Sequence, residues 1–357
     1  MMANKKKKVL FFLPSTTGGA ERMTITMAKM LPLDKFDVKF VIVHRNLGTI
    51  VRFIPEKYEI IHLPVHNIYC AATLRMIRII NKEKPDVVFS SLLYLNVRLI
   101  VAAKVCGCKV VVRNNIDLSR TPSILNPLLV KLTYRWVDKV IAQQEEMTNE
   151  IIKYTKISPC KVVTFHNPID IDSIDVKSKE KSPFTDNGCQ VKYLCVARFS
   201  YEKGQDLLVK AIGKVVSILP NAHLYLVGKY DRGSSYFNDI YDYIKQHQLE
   251  KNVHFVGFDA NPYRWVKNCD CYVMPSRLEG LPNSLIEAMY LGKPVVATKC
   301  IPVIERIVKD GYNGYLAETN NVDSIVEKMI VAPQLKNVAM TYRPVDKRDI
   351  INLFATI

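Results

Sequence analysis

The chain has 357 residues, more than one hydrophobic core usually sustains, so two domains of about 170 residues each are expected. A composition that is 48% hydrophobic and 24% charged excludes a disordered, collagen-like or disulfide-stapled chain. The net charge of +16 is uneven: residues 1–170 carry 26 basic and 13 acidic side chains, whereas 171–357 carry 24 and 21.

An excess of +13 on the front half points to an anionic partner there, whether a bilayer surface, a phosphorylated substrate or nucleic acid. Lys5–Lys8 followed by Val9–Leu13 copies the charge order of a signal peptide. Pro14 ends the apolar run, however, and no small-residue cleavage site follows, which argues against export. No run approaches the roughly 18 apolar residues of a spanning helix. Nine cysteines without framework spacing read as reduced thiols. A cytoplasmic protein that meets a membrane only at its surface is expected.

Short β-branched runs alternate with amphipathic stretches along the whole chain, the pattern of parallel sheets wrapped by helices. In the front half strands are predicted at Val9–Leu13, Val38–Val43, Asp86–Phe89, Lys109–Arg113, Lys139–Ala142 and Val162–Phe165. Helices are predicted at Gly19–Met30, Leu95–Cys106 and Ser123–Arg135. The scheme restarts with strands at Val191–Ala197, His223–Gly228, Val253–Val256, Cys271–Met274 and Pro294–Ala297. The fold class is α/β, with two Rossmann-like, doubly wound domains at 1–170 and 171–357. Asn167–Asp170 and the polar segment Asp175–Gln190 form the predicted linker. Ligands of open α/β sheets bind beyond the carboxyl ends of the strands, so two such domains facing an interdomain cleft make that cleft the default site.

Three constellations can carry chemistry. Thr17-Gly18-Gly19-Ala20-Glu21-Arg22 follows the first strand, and its small residues admit a close backbone approach before a helix begins. The same residues also make a plain strand-to-helix turn, and they lack the spaced glycines of a dinucleotide fingerprint. Arg198 and Lys203 follow the first strand of the back half, where paired cations can neutralise a diphosphate or simply be loop charges. Glu279-Gly280-Leu281-Pro282-Asn283-Ser284-Leu285-Ile286-Glu287 follows Met274. Gly280 and Pro282 mark a turn, Asn283 or Ser284 can cap, and the helix that opens there presents free N–H groups suited to a diphosphate. Glu279 and Glu287 can accept hydrogen bonds from hydroxyls at opposite ends of one long ligand. As a bare pair eight residues apart they read better as a first-turn charge and a solvated face.

These motifs, together with Val253-His254-Phe255-Val256-Gly257-Phe258, occur in the order and at the spacings that resemble the GT4 family of GT-B glycosyltransferases. The resemblance implies that Arg198 and Lys203 hold the donor diphosphate, Glu287 the nucleotide ribose and Glu279 the donor-sugar hydroxyls. It further implies a phosphate cradle of backbone amides around Gly280, Leu281, Asn283, Ser284 and Leu285, with Gly257 and Phe258 bordering the base. Gly18 and Gly19 would let the front domain close on the donor, and the acceptor would lie on that domain. Many members carry a histidine where this chain has Asn115 within Arg113-Asn114-Asn115-Ile116-Asp117. A role for that imidazole is then lost or passes to Arg113 or Asp117. The Pro-Glu motif survives only in part, as Pro302-Val303-Ile304-Glu305, and the closing helix shortens to about Asp346–Phe354, able to pack back on the front domain.

Other signals are weaker. Asp170-Ile171-Asp172 spells a metal-binding Asp-x-Asp, but turn formation and capping explain it better, so no metal and no cofactor is expected. Cys106-x-Cys108 and Cys269-x-Cys271 lack zinc spacing and read as buried thiols. Lys131, Arg135 and Lys139 recur at i, i+4 and i+8 beside Leu128, Leu129, Leu132 and Trp136. Such a stripe suits an anionic bilayer or a lipid diphosphate, unless the leucines face the sheet and Lys139 belongs to the next strand.

The expectation is a retaining hexosyl-type transferase that moves a sugar from a nucleotide diphosphate donor, by family frequency UDP-linked, to a lipid-linked or polysaccharide acceptor in surface-glycan synthesis. Alternatives are a UDP-sugar 2-epimerase of the same architecture and a basic nucleic-acid-binding protein. The second is disfavoured because no nucleic-acid motif appears and few aromatics interleave the basic residues.

Overall fold

A computed structural model of the chain describes residues 5–16, 18–65, 72–115, 118, 127–184, 191–336 and 338–357. The chain divides into two compact units, Met1–Ile169 with Arg343–Ile357, and Asp170–Tyr342.

The first unit starts from the apolar run that resembles a leader: Val9 to Leu13 are wholly buried in β1 (Lys7–Leu13). It continues through α1 (Gly19–Lys29), β2 (Phe36–Val43), β3 (Glu59–Leu63), α2 (Ala72–Glu83), β4 (Val87–Ser90) and α3 (Leu93–Cys106). Then follow β5 (Lys109–Arg113), α4 (Pro127–Tyr134), β6 (Lys139–Ala142), α5 (Glu145–Thr155) and β7 (Val162–Thr164). Among the described residues these strands form one parallel sheet in the order β3-β2-β1-β4-β5-β6-β7. A run that is apolar at every position suits a strand covered on both faces. Leu10 and Phe12 enter the core shared with α2 and α3, while Val9, Phe11 and Leu13 enter the core shared with α1. In register, Phe11 lies between Phe40 and Phe89, with ring centroids 5.8 and 5.2 Å away.

The second unit repeats the plan with α6 (Ile171–Lys177), β8 (Val191–Val196), α7 (Gln205–Val216), β9 (Ala222–Val227), α8 (Ser235–Gln246) and β10 (Val253–Gly257). It ends with α9 (Tyr263–Asn268), β11 (Cys271–Met274), α10 (Asn283–Tyr290), β12 (Val295–Thr298), α11 (Pro302–Ile307), β13 (Gly314–Ala317) and α12 (Val322–Val331). Its parallel sheet runs β10-β9-β8-β11-β12-β13. Both orders reverse direction beside their first strand, between β1 and β4 and between β8 and β11, which are the switch points where doubly wound sheets bind ligands. The last element, α13 (Lys347–Thr356), belongs to the first unit, where Phe354 packs 5.6 Å from Phe11 and 5.9 Å from Phe89.

Both units are the α/β sheets that the alternating runs predict, with three differences. Two edge strands, β3 and β13, are absent from the sequence-based reading. The helix predicted at Ser123–Arg135 is described only as Pro127–Tyr134, residues 123–126 lying outside the described residues. Lys139 opens β6, as the predicted strand Lys139–Ala142 has it, and so does not extend the basic stripe. The segment read as linker after Asp175 packs on the second unit instead. Asn261 donates to the Lys177 carbonyl at 2.9 Å, Tyr290 to Asp175 at 2.9 Å, and Phe184 packs against Tyr225 and Trp265. Asp170 caps α6 by accepting from the Ser173 N–H at 3.3 Å, which is the capping role set against metal binding above.

Candidate functional site

At the switch point of the second unit, β8 ends at Val196 and the chain passes Arg198 into the turn Tyr201–Lys203. Gly204 then opens α7 with φ +69°, and a Cβ on it would collide with the Pro275 carbonyl. Glycine therefore lets the Lys203 turn lie directly against the end of β11. From the other side the loop between β11 and α10 brings in Glu279. Lys203 Nζ donates to both Glu279 carboxylate oxygens at 2.7 Å, and Ser276 Oγ donates to Oε1 at 2.8 Å. The Glu279 side chain is only 9% exposed and that of Lys203 28%. Burial, reinforced by the negative charge of Glu279, pushes the Cys300 thiol up to about 11.

The helix that follows begins at Asn283, with Pro282 at the cap position and no side-chain cap. The expected capping by Asn283 or Ser284 is thus corrected. Asn283 is already helical, and Ser284 Oγ instead accepts from the buried Tyr272 hydroxyl at 2.7 Å. Leu285 is fully buried, while Gly280 is exposed. Glu287 lies one turn further along α10 and accepts from the Tyr263 hydroxyl at 3.2 Å. Gly257 closes β10 at φ +81° and accepts from the Gly228 N–H at 2.8 Å; Phe258 beyond it is 64% exposed. Arg198 is exposed, and Gln205 Nε2 holds its carbonyl at 3.0 Å.

In the first unit Gly18 sits at the cap position of α1 and Gly19 is the first helical residue. A Cβ on Gly18 would lie 2.6 Å from Glu21 Oε2, so its size makes room for that buried carboxylate, which accepts from Thr16 Oγ1 at 3.2 Å. Arg113 is 1% exposed at the end of β5 and donates to Asn115 Oδ1 at 2.5 Å and to Asn167 Oδ1. Asn115 also accepts from Gln143 Nε2 at 3.1 Å and donates to the Ser91 carbonyl. Its amide ties together the chain after β4, β5 and β6. A guanidinium stays protonated and cannot serve as a base, and Arg113 is buried with donors on Asn115 and Asn167. Asp117 and Thr17 lie outside the described residues.

Lys131 and Arg135 line a surface cavity of about 490 Å³ with Lys153, Tyr154 and Lys156. Lys131 Nζ stands 4.9 Å over the Tyr154 ring. Val130 and Tyr134 make the buried face of this segment, whereas Leu128, Leu129, Leu132 and Trp136 are exposed. The leucines therefore do not cover the sheet. Among the described residues no helix is long and apolar enough to cross a membrane.

A model of Glycosyltransferase Family 4 matches residues 17–173, and a model of Glycosyl transferases group 1 matches residues 176–339. The chain belongs to the GT4-type glycosyltransferases. It is 24% identical over 90% of its length, and 88% of the relative's, to an N-acetylgalactosamine-N,N'-diacetylbacillosaminyl-diphospho-undecaprenol 4-alpha-N-acetylgalactosaminyltransferase of Campylobacter jejuni. It is 21% identical over 87% of its length, and 84% of the relative's, to a UDP-Gal:alpha-D-GlcNAc-diphosphoundecaprenol alpha-1,3-galactosyltransferase of Escherichia coli. An uncharacterized glycosyltransferase of Methanocaldococcus jannaschii is 28% identical over 64% of the chain, an alignment that spans 59% of that protein. The Anabaena protein HepE, crystallised with UDP and glucose, has a TM-score of 0.79 at 19% identity, covering 98% of each chain. The fold of this GT4-type enzyme is GT-B.

Two contributors to this candidate site escape a reading of the sequence. Tyr263 bonds Glu287 from α9, and Arg277 ties the Lys203 turn to the loop of Glu279. No local spacing signals either, because each meets its partner across the fold.

Proposed function

We propose that this glycosyltransferase moves a sugar, with retention of anomeric configuration, from a UDP-sugar to a lipid-diphosphate-linked or polysaccharide acceptor in surface-glycan synthesis. The observation that carries the reading is the 2.7 Å meeting of Lys203 with Glu279 at a sheet switch point, beside Arg198 and the opening of α10. A diphosphate at this point is neutralised by Arg198, Lys203 and first-turn N–H groups. Glu279 takes hydroxyls of the donor sugar, and Glu287, oriented by Tyr263, takes the ribose.

In the step proposed, the acceptor oxygen bonds to the anomeric carbon as the bond from that carbon to the phosphate oxygen breaks. The acceptor proton passes to the departing phosphate on the same face. Preorganised cations stabilise the charge that develops on the leaving group, which supports transfer without a metal ion. The lipid-linked acceptor is supported by the diphospho-undecaprenol substrates named for the Campylobacter and Escherichia relatives. Peripheral attachment at the cytoplasmic face is supported by exposed Leu128, Leu129, Leu132 and Trp136 beside Lys131 and Arg135, on the half of the chain with the +13 excess.

The test is nucleotide release from a panel of nucleotide sugars, with and without a polyprenyl-diphosphate sugar. Release from a UDP-sugar that depends on the acceptor is expected. Epimerised sugar formed without any acceptor would assign the chain to the epimerase alternative.

A further inference from the structure

Between Ser276 and Glu279 lies Arg277, whose side chain is 11% exposed although it belongs to a loop. Its guanidinium uses four of its five N–H donors on three different segments. Nη1 donates to Asp206 Oδ1 and to the Tyr201 carbonyl, both at 2.7 Å; Nη2 donates to Asp206 Oδ2 at 2.6 Å; Nε donates to Asn320 Oδ1 at 2.7 Å. The Arg277 backbone N–H donates to the Glu202 carbonyl at 2.7 Å, and the Tyr201 ring covers the guanidinium at 4.0 Å. Asp206 is held in turn by the Tyr236 hydroxyl at 2.8 Å.

The two residues that precede Lys203 therefore give both their carbonyls to Arg277, one to its side chain and one to its backbone. Lysine carries a compact charge on a flexible stem, so the place of its ammonium depends on where its backbone is fixed. Asp206 balances the Arg277 charge and takes its donors, so Arg277 is committed to the protein itself, whereas Lys203 is shared between Glu279 and a diphosphate that binds here. Accepting the reading that Lys203 meets the donor diphosphate, we propose that Arg277 is a positioning residue for donor binding. It sets the Lys203 turn against the Glu279 loop without touching the ligand itself. A lysine cannot replace it, because one ammonium cannot reach Asp206, Tyr201 and Asn320 together.

The experiment is a double-mutant cycle on the full chain, with UDP as the probe, read by calorimetry on wild type, Arg277→Ala, Lys203→Ala and the double variant. Arg277→Ala is expected to weaken UDP about tenfold in the wild-type background and less than twofold in the Lys203→Ala background. Arg277→Lys, which keeps a cation against Asp206, runs through the same cycle should the alanine variant not fold, with a loss of about threefold or more. An equal loss in both backgrounds, or a folded Arg277 variant with wild-type affinity, overturns the positioning role and leaves the donor site standing. A folded Lys203→Ala variant that binds UDP like wild type, or a wild type that binds none, overturns the donor site and the positioning role with it.

Discussion

Lys203 Nζ lies 2.7 Å from both carboxylate oxygens of Glu279, a residue 76 positions further along the chain. Each partner occupies the other in this arrangement, so an incoming diphosphate competes with Glu279 for the ammonium. Glu279→Gln separates the two roles. The variant keeps the shape, frees much of the Lys203 charge and removes the acceptor for sugar hydroxyls. UDP, which carries no sugar, is expected to bind it as tightly as wild type or up to several-fold more tightly, while transfer falls by about two orders of magnitude. Weaker UDP binding together with retained transfer would show that the pair does not act this way.

Tyr263→Phe tests the orientation of Glu287. The variant removes the hydroxyl that donates at 3.2 Å and leaves the buried ring in place. A net hydrogen bond of about 1 kcal/mol corresponds to roughly a fivefold rise in donor KM, with kcat little changed. Initial-rate kinetics over a range of donor concentration check this, and an unchanged KM would disconnect Tyr263 from the ribose.

The Asp206–Arg277 contact predicts an acid-side loss of stability. Burial on its own would raise the Asp206 carboxyl, but the bonds from Arg277 and Tyr236 outweigh it and hold the group below its ordinary value of 3.8. A carboxylate lowered in the fold stabilises fully above its unfolded value and loses that contribution as pH falls through its folded value. Asp206→Asn is therefore expected to be less stable than wild type by about 1–3 kcal/mol at pH 7, with the gap closing below pH ~3.8. Urea unfolding at a series of pH values measures it; a gap of constant size down to pH 3 would contradict the assignment.

Strands in the middle of both sheets are legible because residues covered on two faces must be apolar throughout, as in Val9–Leu13 and Cys271–Met274. The two strands that escape are edges. In β3, Glu59 and His62 are exposed and interrupt the apolar run, and β13 is four residues long and begins with a glycine. The same logic separates the site residues. Lys203, Glu279 and Glu287 stand at recognisable spacings from a strand end and a helix start. Arg277 reads as one more loop charge, because its partners Asp206 and Asn320 are 71 and 43 residues away and only the fold brings them to it. Asn115 was legible as a departure, but its engagement by Arg113, Gln143 and Ser91 was not.

The exposed side of the α4 segment predicts vesicle binding through charge and apolar contact together. At about 1 kcal/mol per cation near an anionic surface, Lys131→Ala with Arg135→Ala is expected to weaken binding to phosphatidylserine vesicles by ~30-fold. Added salt is expected to weaken wild-type binding, since the Debye length falls from about 10 Å at 0.1 M to about 3 Å at 1 M. Co-sedimentation reads both effects. Equal binding of wild type to neutral and anionic vesicles would remove this surface as a membrane contact.

The most direct measurement is the rate of acceptor-dependent release of UDP from its sugar donor by wild type and by Lys203→Ala, each shown to be folded by its melting transition and each assayed with and without a chelator. Loss of a preorganised cation at the leaving group predicts a fall of about 10²–10³ in the variant and no effect of the chelator on wild type. A folded Lys203→Ala protein that turns over at the wild-type rate would contradict the placement of the donor diphosphate at Lys203 and Glu279.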